Sequence, residues 1–319
     1  MCHPEHSEGS LTYVSHIMKQ ILKIGPLLII TAAILWALDG VIRRSLYSLP
    51  PITIVFYEHL IGALILTPFI FKQLFKVKIT GRLILLILFV SLFSSLLGTL
   101  WFTTALLKVN FISFSVVFLL QKLQPIFAIT TAVIFLKEKV KKRYLIWAGL
   151  AFVAAYFVTF KNGYVSFATG SGTIEAALYA LGAAFAWGSS TTFSRMALLK
   201  LPDTYVTGLR FIFTTILAFF AVFLMGAGAS LTMPDTSQYL RFIFIALSTG
   251  MVALLIYYKG LKETPVRVST ILELVFPVLA IIIDAVLYKT FLGPTQIVAA
   301  VILLFSIYKL SALQLKHEV

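Results

Sequence analysis

Ten apolar runs follow one another along the chain, each about as long as the twenty-residue helix needed to cross the hydrocarbon core of a bilayer. They lie at 25–45, 52–71, 83–106, 112–135, 144–160, 174–196, 204–225, 239–258, 266–288 and 295–313. The runs are long and continuous rather than alternating, so they predict helices and not the strands of a membrane barrel. Composition agrees: 60% of residues are hydrophobic and 12% are charged, against about 25% charged in a soluble domain. The expected fold class is therefore all-α and integral to a membrane, with ten transmembrane helices.

The formal charge of +14 would suggest a nucleic-acid partner in a soluble protein. Here the basic residues gather between the apolar runs, where they set topology and meet anionic lipid, so we expect membrane lipid and no nucleic acid. With the N-terminus inside, Lys19, Lys23, Lys72, Lys76, Lys78, Arg82, Lys137, Lys139, Lys141, Lys142, Arg143, Arg195, Lys200, Lys259, Lys262, Arg267, Lys309 and Lys316 fall on cytoplasmic ends. The outer ends hold Arg43, Arg44, Lys108, Lys161, Arg241 and Lys289. This bias predicts a multi-pass protein of the cell (inner or plasma) membrane with both termini cytoplasmic; Arg43 and Arg44 run against it. Cys2 is the only cysteine, so no intrachain disulfide can form. Residues 1–17 are polar, with neither an apolar run nor a cleavage site; they are expected to be a disordered tail or to precede the natural start at Met18. Residues 314–319 read as a cytoplasmic tail.

The two halves resemble each other. "ILWALDGVIRRSLYSLPPITIVFYEHL" aligns with "FAWGSSTTFSRMALLKLPDTYVTGLRF", which sets Trp36 against Trp187, Pro50 against Pro202 and Glu58 against Arg210. "QKLQPIFAITTAVIFLKEKV" aligns with "ELVFPVLAIIIDAVLYKTFL", which sets Gln121 against Glu273 and Pro125 against Pro277. The repeats span 18–162 and 172–313. Each holds five helices, an odd number, so the second copy enters the membrane from the opposite side. Inverted repeats of this kind belong to secondary transporters, with a site near the midplane between the halves.

"AFAWGSSTTFSRMAL", "YYKGLKETPVRVSTILELVFPVLA" and "LQKLQPIFAITTAVIFLKEKV" together resemble the drug/metabolite transporter superfamily, in its EamA branch, over residues 20–312. The resemblance implies a five-plus-five inverted arrangement with cytoplasmic termini. It also implies a central cavity lined by helices one to four and six to nine, with helices five and ten peripheral. Members move amino acids, other small metabolites or drugs, often outward. The chain departs from the pattern at Asp39, where a small residue is usual, at Thr290, where the family often has a glutamate, and at Glu58. Arg210 fits the family's usual basic residue in helix seven.

Ionisable groups inside a bilayer are costly and survive by pairing, facing the bundle interior or touching water. The intramembrane set is Asp39, Glu58, Lys122, Arg210, Glu273 and Asp284. Glu273 and Lys122 are the first candidates for a substrate site, and the two are placed to partner each other. Arg210, Glu58, Asp39 and Gln121 follow. Helical spacing puts Asp39 with Arg43, Glu273 with Asp284, and Gln121 with Gln124, while Lys122 lies about 100° from Gln121. The structural alternatives are an Asp39–Arg43 pair, an ion pair between Arg210 and a neighbouring acid, and an interfacial role for Asp284. Trp36, Trp187 and Tyr257, with Trp101 and Tyr258, are near enough to these faces to wall a pocket. Pro125 and Pro277 each remove a backbone donor and are candidate hinges.

There is no phosphate-binding "GxxxxGK[ST]" loop and no cysteine–histidine cluster, so neither ATP, a metal nor another cofactor is expected. His59 reads equally as a helix-end hydrogen bonder or a proton relay. The chain reads as a secondary transporter, an exporter, of a small polar or amphipathic metabolite such as an amino acid, working by alternating access. Proton coupling through Glu273 and a homodimer complete the expectation. The rivals are an integral-membrane enzyme and a flippase for lipids or lipid-linked metabolites of the same fold.

Overall fold

The computed structural model describes residues 24–74, 77–108, 110–136, 142–164, 172–263 and 272–313. The expected tails 1–17 and 314–319 lie outside them, as do Lys19, Lys23, Lys76, Lys137, Lys139, Lys141, Arg267 and Lys316. Within the described residues the helices form ten segments. These are α1 (Ile24–Arg44), α2 (Pro51–Leu74), α3 (Gly81–Leu107), α4 in two pieces (Phe114–Gln121 and Gln124–Leu136) and α5 (Lys142–Thr159). The second half repeats the series as α6 (Gly172–Leu198), α7 (Asp203–Leu224), α8, α9 (Val275–Val286) and α10 (Pro294–Leu313). The eighth runs from Thr236–Phe244 through a π-helical stretch, Ile245–Gly250, into Met251–Glu263. α3 carries the matching π-helical stretch, Ser91–Gly98. Large apolar side chains such as Leu64, Phe69, Leu85, Leu145 and Phe220 face outward, a surface suited to lipid rather than water.

The packing is symmetric under exchange of the halves. α2 packs on α7, α5 on α10, and the first piece of α4 on α9. The pair α1–α8 is matched by α6–α3, and α1–α9 by α6–α4. With five helices per half, this is the inverted two-repeat architecture. Alanines carry the close approaches: Ala148, Ala151 and Ala155 of α5 meet Ala299 and Ala300 of α10 in a core that also buries Ala176, Ala180, Ala183 and Ala184 of α6. Small residues let membrane helices approach through dispersion where no hydrophobic force between them exists. Gly188 of α6 is the tightest of these contacts against backbone: a methyl added there would sit 2.4 Å from the Gln124 carbonyl oxygen. Backbone cannot swing aside, so Gly188→Ala should cost about 1–3 kcal/mol, read as a lower unfolding temperature in detergent.

α4 and α9 are broken at repeat-related points. Lys122 and Leu123 interrupt α4, and Glu273 and Leu274 precede the continuous part of α9. The break in α4 ends two residues before Pro125, and the one before α9 ends three residues before Pro277. The tightened turn is visible as Lys122 N–H donating to Leu119 O and Leu123 N–H to Leu120 O, at 3.1 Å each. A proline cannot donate and clashes with the preceding turn, which is the local reason for both interruptions.

Candidate functional site

The two breaks sit beside a cavity of about 220 Å³ between the halves. That is room for roughly seven waters at about 30 Å³ each, more than a packing defect. Its walls come from α1, α2, α3, α4, α6, α7, α8 and α9; α5 and α10 pack against each other outside it. Trp36, Asp39, Glu58, Gln121, Lys122, Trp187, Arg210, Tyr257 and Glu273 all line it.

Three clusters order the charges. In the first, Arg43 of α1 donates from Nε to Asp39 Oδ2 at 2.9 Å and from Nη2 to Asp39 Oδ1 at 3.3 Å. It also donates from Nη2 to Glu58 Oε2 at 2.9 Å and from Nη1 to Thr103 Oγ1 at 3.1 Å. Thr249 of α8 donates to Asp39 Oδ1 at 2.6 Å, so the cluster joins both repeats. The expected Asp39–Arg43 pair is present, and Glu58 makes it a triad. Arg43 and Arg44 ran against the charge bias because neither is a loop charge: Arg43 is 2% and Arg44 9% exposed. Arg44 donates to Ile112 O at 3.3 Å and lies over the Tyr288 ring at 4.8 Å.

In the second cluster Lys122 Nζ lies 3.3 Å from Glu273 Oε2, and Tyr257 donates its hydroxyl to Glu273 Oε1 at 2.8 Å. Lys122 also stands over the Phe276 ring at 4.8 Å. Gln121 closes the first piece of α4, Lys122 follows it at the break, and both residues line the cavity with Gln124. Gln121 is 3% exposed and its Oε1 has no partner among the described residues. A buried acceptor facing a cavity in that state suits a ligand or water.

The third cluster corrects an expectation. Among the described residues Arg210 has no carboxylate in reach; it donates to Ser95 Oγ at 2.9 and 3.2 Å, to Ser94 Oγ at 3.1 Å and to the Tyr258 hydroxyl. The acids that the sequence offered are engaged elsewhere: Asp39 and Glu58 on Arg43, and Glu273 on Lys122. Asp284 does not share the cavity with Glu273. It lies beyond the break and accepts from the Ser115 backbone N–H at 2.6 Å, one of the unpaired donors in the first turn of α4.

The rings are divided in the same way. Trp36 and Tyr257 meet at 5.0 Å between centroids and Trp187 and Phe102 at 5.3 Å, while Trp187 Nε1 donates to Ser94 O at 2.8 Å. Trp101, expected with them, does not line the cavity; it covers Gly182 instead. His59 lines the cavity, with Nδ1 donating to Val55 O at 2.8 Å and its ring 5.0 Å from that of Phe211. Sequence reasoning missed Thr249 and Gly250 as lining residues, and it did not foresee Glu58 as the second partner of Arg43.

The model of the EamA-like transporter family matches residues 23–160 and 174–312, one match per repeat. A riboflavin transporter, ImpX, of Fusobacterium nucleatum subsp. nucleatum (strain ATCC 23726 / VPI 4351) is 36% identical over 292 residues, covering 91% of this chain and 98% of the relative. A solved crystal structure, 15% identical, superposes with a TM-score of 0.60 over 92% of this chain and 98% of that one, which speaks to the fold alone.

Proposed function

The chain belongs to the EamA-like transporter family, and from that premise we propose that it is a secondary transporter of riboflavin or a closely similar flavin. The carrying observation is the make-up of the cavity. Ring walls at Trp36, Tyr257, Trp187 and Phe102 stand beside hydrogen-bonding groups at Arg210, Gln121 and the Lys122–Glu273 pair. Riboflavin is a flat heteroaromatic ring system with a carbonyl-rich edge and a polyhydroxyl chain, so it asks for both kinds of contact. The name of the relative points the same way. In this reading Trp36 and Tyr257 stack on the ring system, Arg210 donates to its carbonyl edge, and Gln121, Lys122 and Glu273 meet the hydroxyls. Asp39 and Glu58 are engaged with Arg43 and are left out of the contact set. The breaks before Pro125 and Pro277 are the points about which α4 and α9 bend as the halves rock, with both termini on the cytoplasmic side of the cell membrane.

Purified protein in proteoliposomes should exchange labelled riboflavin against unlabelled riboflavin. Trp36→Ala should weaken half-saturation about three- to tenfold, the scale of one lost aromatic contact. Failure to exchange riboflavin would end this reading. An amino acid is the second reading, favoured by the Lys122–Glu273 pair, whose two charges would complement a zwitterion; exchange of amino acids without riboflavin would select it. We read the direction as outward, as is common in the family. Cells producing the protein should then hold less flavin, and a gain would assign uptake.

A further inference from the structure

Six charged side chains line the cavity, and they do not balance locally. Lys122 and Glu273 form a neutral pair. Arg210 faces hydroxyls. Arg43 serves two carboxylates, Asp39 and Glu58, so that triad carries one net negative charge although its members are only 2%, 6% and 5% exposed. A single proton would neutralise it.

The two carboxylates are not equivalent. Both oxygens of Asp39 are taken, one by Arg43 and the other by Arg43 and Thr249. Glu58 gives Oε2 to Arg43, and among the described residues no donor reaches its Oε1. That oxygen lies against Gly250, where a methyl would stand 2.9 Å from it. Glycine thus leaves the space around Oε1 open on a residue that lines the cavity. We propose that Glu58 Oε1 is the proton-binding atom through which this transporter couples solute movement to a pH gradient. The inference rests on the reading of the chain as a riboflavin transporter, and it places the proton on α2 rather than on Glu273.

The groups around Glu58 make this workable. Asp39 and Arg43 face it from α1, and α8 presents the uncharged Thr249 and Gly250. His59 is its neighbour on α2, and Arg210 stands on α7, with Lys122 and Glu273 across the cavity. A proton from water on one side forms the O–H bond at Oε1, which leaves Arg43 in a neutral pair with Asp39 and weakens its hold on Glu58. Loss of that proton to water on the other side restores the triad. Since Thr249 ties the triad to the second repeat, the bond between α1 and α2 and the fit between the repeats change together.

In proteoliposomes, an imposed pH gradient should displace the riboflavin ratio from unity by up to about tenfold per pH unit for one proton per solute. Glu58→Gln should bring the ratio back to one while exchange persists. A ratio of one in the unaltered protein that still exchanges would overturn the proposal. So would a gradient response that survives in Glu58→Gln, or one that is lost in Glu273→Gln and kept in Glu58→Gln. Infrared spectra need no solute. On acid titration of the purified protein, the carbonyl stretch of a protonated buried carboxyl should grow in, be absent from Glu58→Gln and be retained in Asp39→Asn. The absence of that band from the unaltered protein, or its loss only in Asp39→Asn, would overturn the proton site. Absence of riboflavin exchange alone would remove the riboflavin reading and leave the infrared result to decide.

Discussion

Replacing Arg43 with alanine should remove about 3–5 kcal/mol of stability, the usual cost of stripping one partner from a buried ion pair. The guanidinium is the only cation in contact with both Asp39 and Glu58 among the described residues, and it also holds Thr103 of α3. Without it two carboxylates would face each other inside a bilayer, where water cannot compensate them fully. The loss should appear as a lower unfolding temperature in detergent and poor yield from membranes. A combined Arg43→Met, Asp39→Asn, Glu58→Gln variant should recover most of it, because a buried ionic triad replaced by neutral groups of similar volume is often no less stable than the original. If the single and triple variants were equally unstable, the destabilisation would come from lost packing and not from uncompensated charge.

Arg210→Ala should weaken riboflavin exchange about ten- to a hundredfold, the scale of one charge-assisted hydrogen bond of roughly 1.5–3 kcal/mol. Its donors rest on Ser94, Ser95 and Tyr258, neutral groups that can yield to a better acceptor. Arg210→Lys separates the two parts of the effect. It keeps the charge but loses the planar fork, so affinity should recover only in part. Half-saturation read beside the unfolding temperature tells the roles apart: a binding role moves the first much more than the second. Equal fold and equal affinity in Arg210→Ala would remove Arg210 from the contact set.

Much of this molecule was legible in one dimension. A run of apolar residues long enough to cross a bilayer must be helical, since hydrocarbon offers its backbone no other partner. An odd number of such runs in each half then dictates inversion. Ionisable residues at mid-depth cannot face lipid, so Asp39, Glu58, Lys122, Arg210 and Glu273 had to turn toward one interior, and all five do. Asp284, closer to a helix end, went instead to the first turn of α4. Pro125 marked the interruption of α4, which falls at Lys122 and Leu123.

Sequence by itself thus determined the helices, their number, their inversion and the inventory of polar groups held inside, because each follows from the solvent that a bilayer is. Only the tertiary structure decided which acid meets which base. Two carboxylates converge on Arg43, one pairs with Lys122, and Arg210 is left to hydroxyls. Those choices depend on helix rotation and on close approaches such as Gly250 to Glu58 and Gly188 to Gln124. They are set by van der Waals contact between segments far apart in the chain, which no local periodicity encodes.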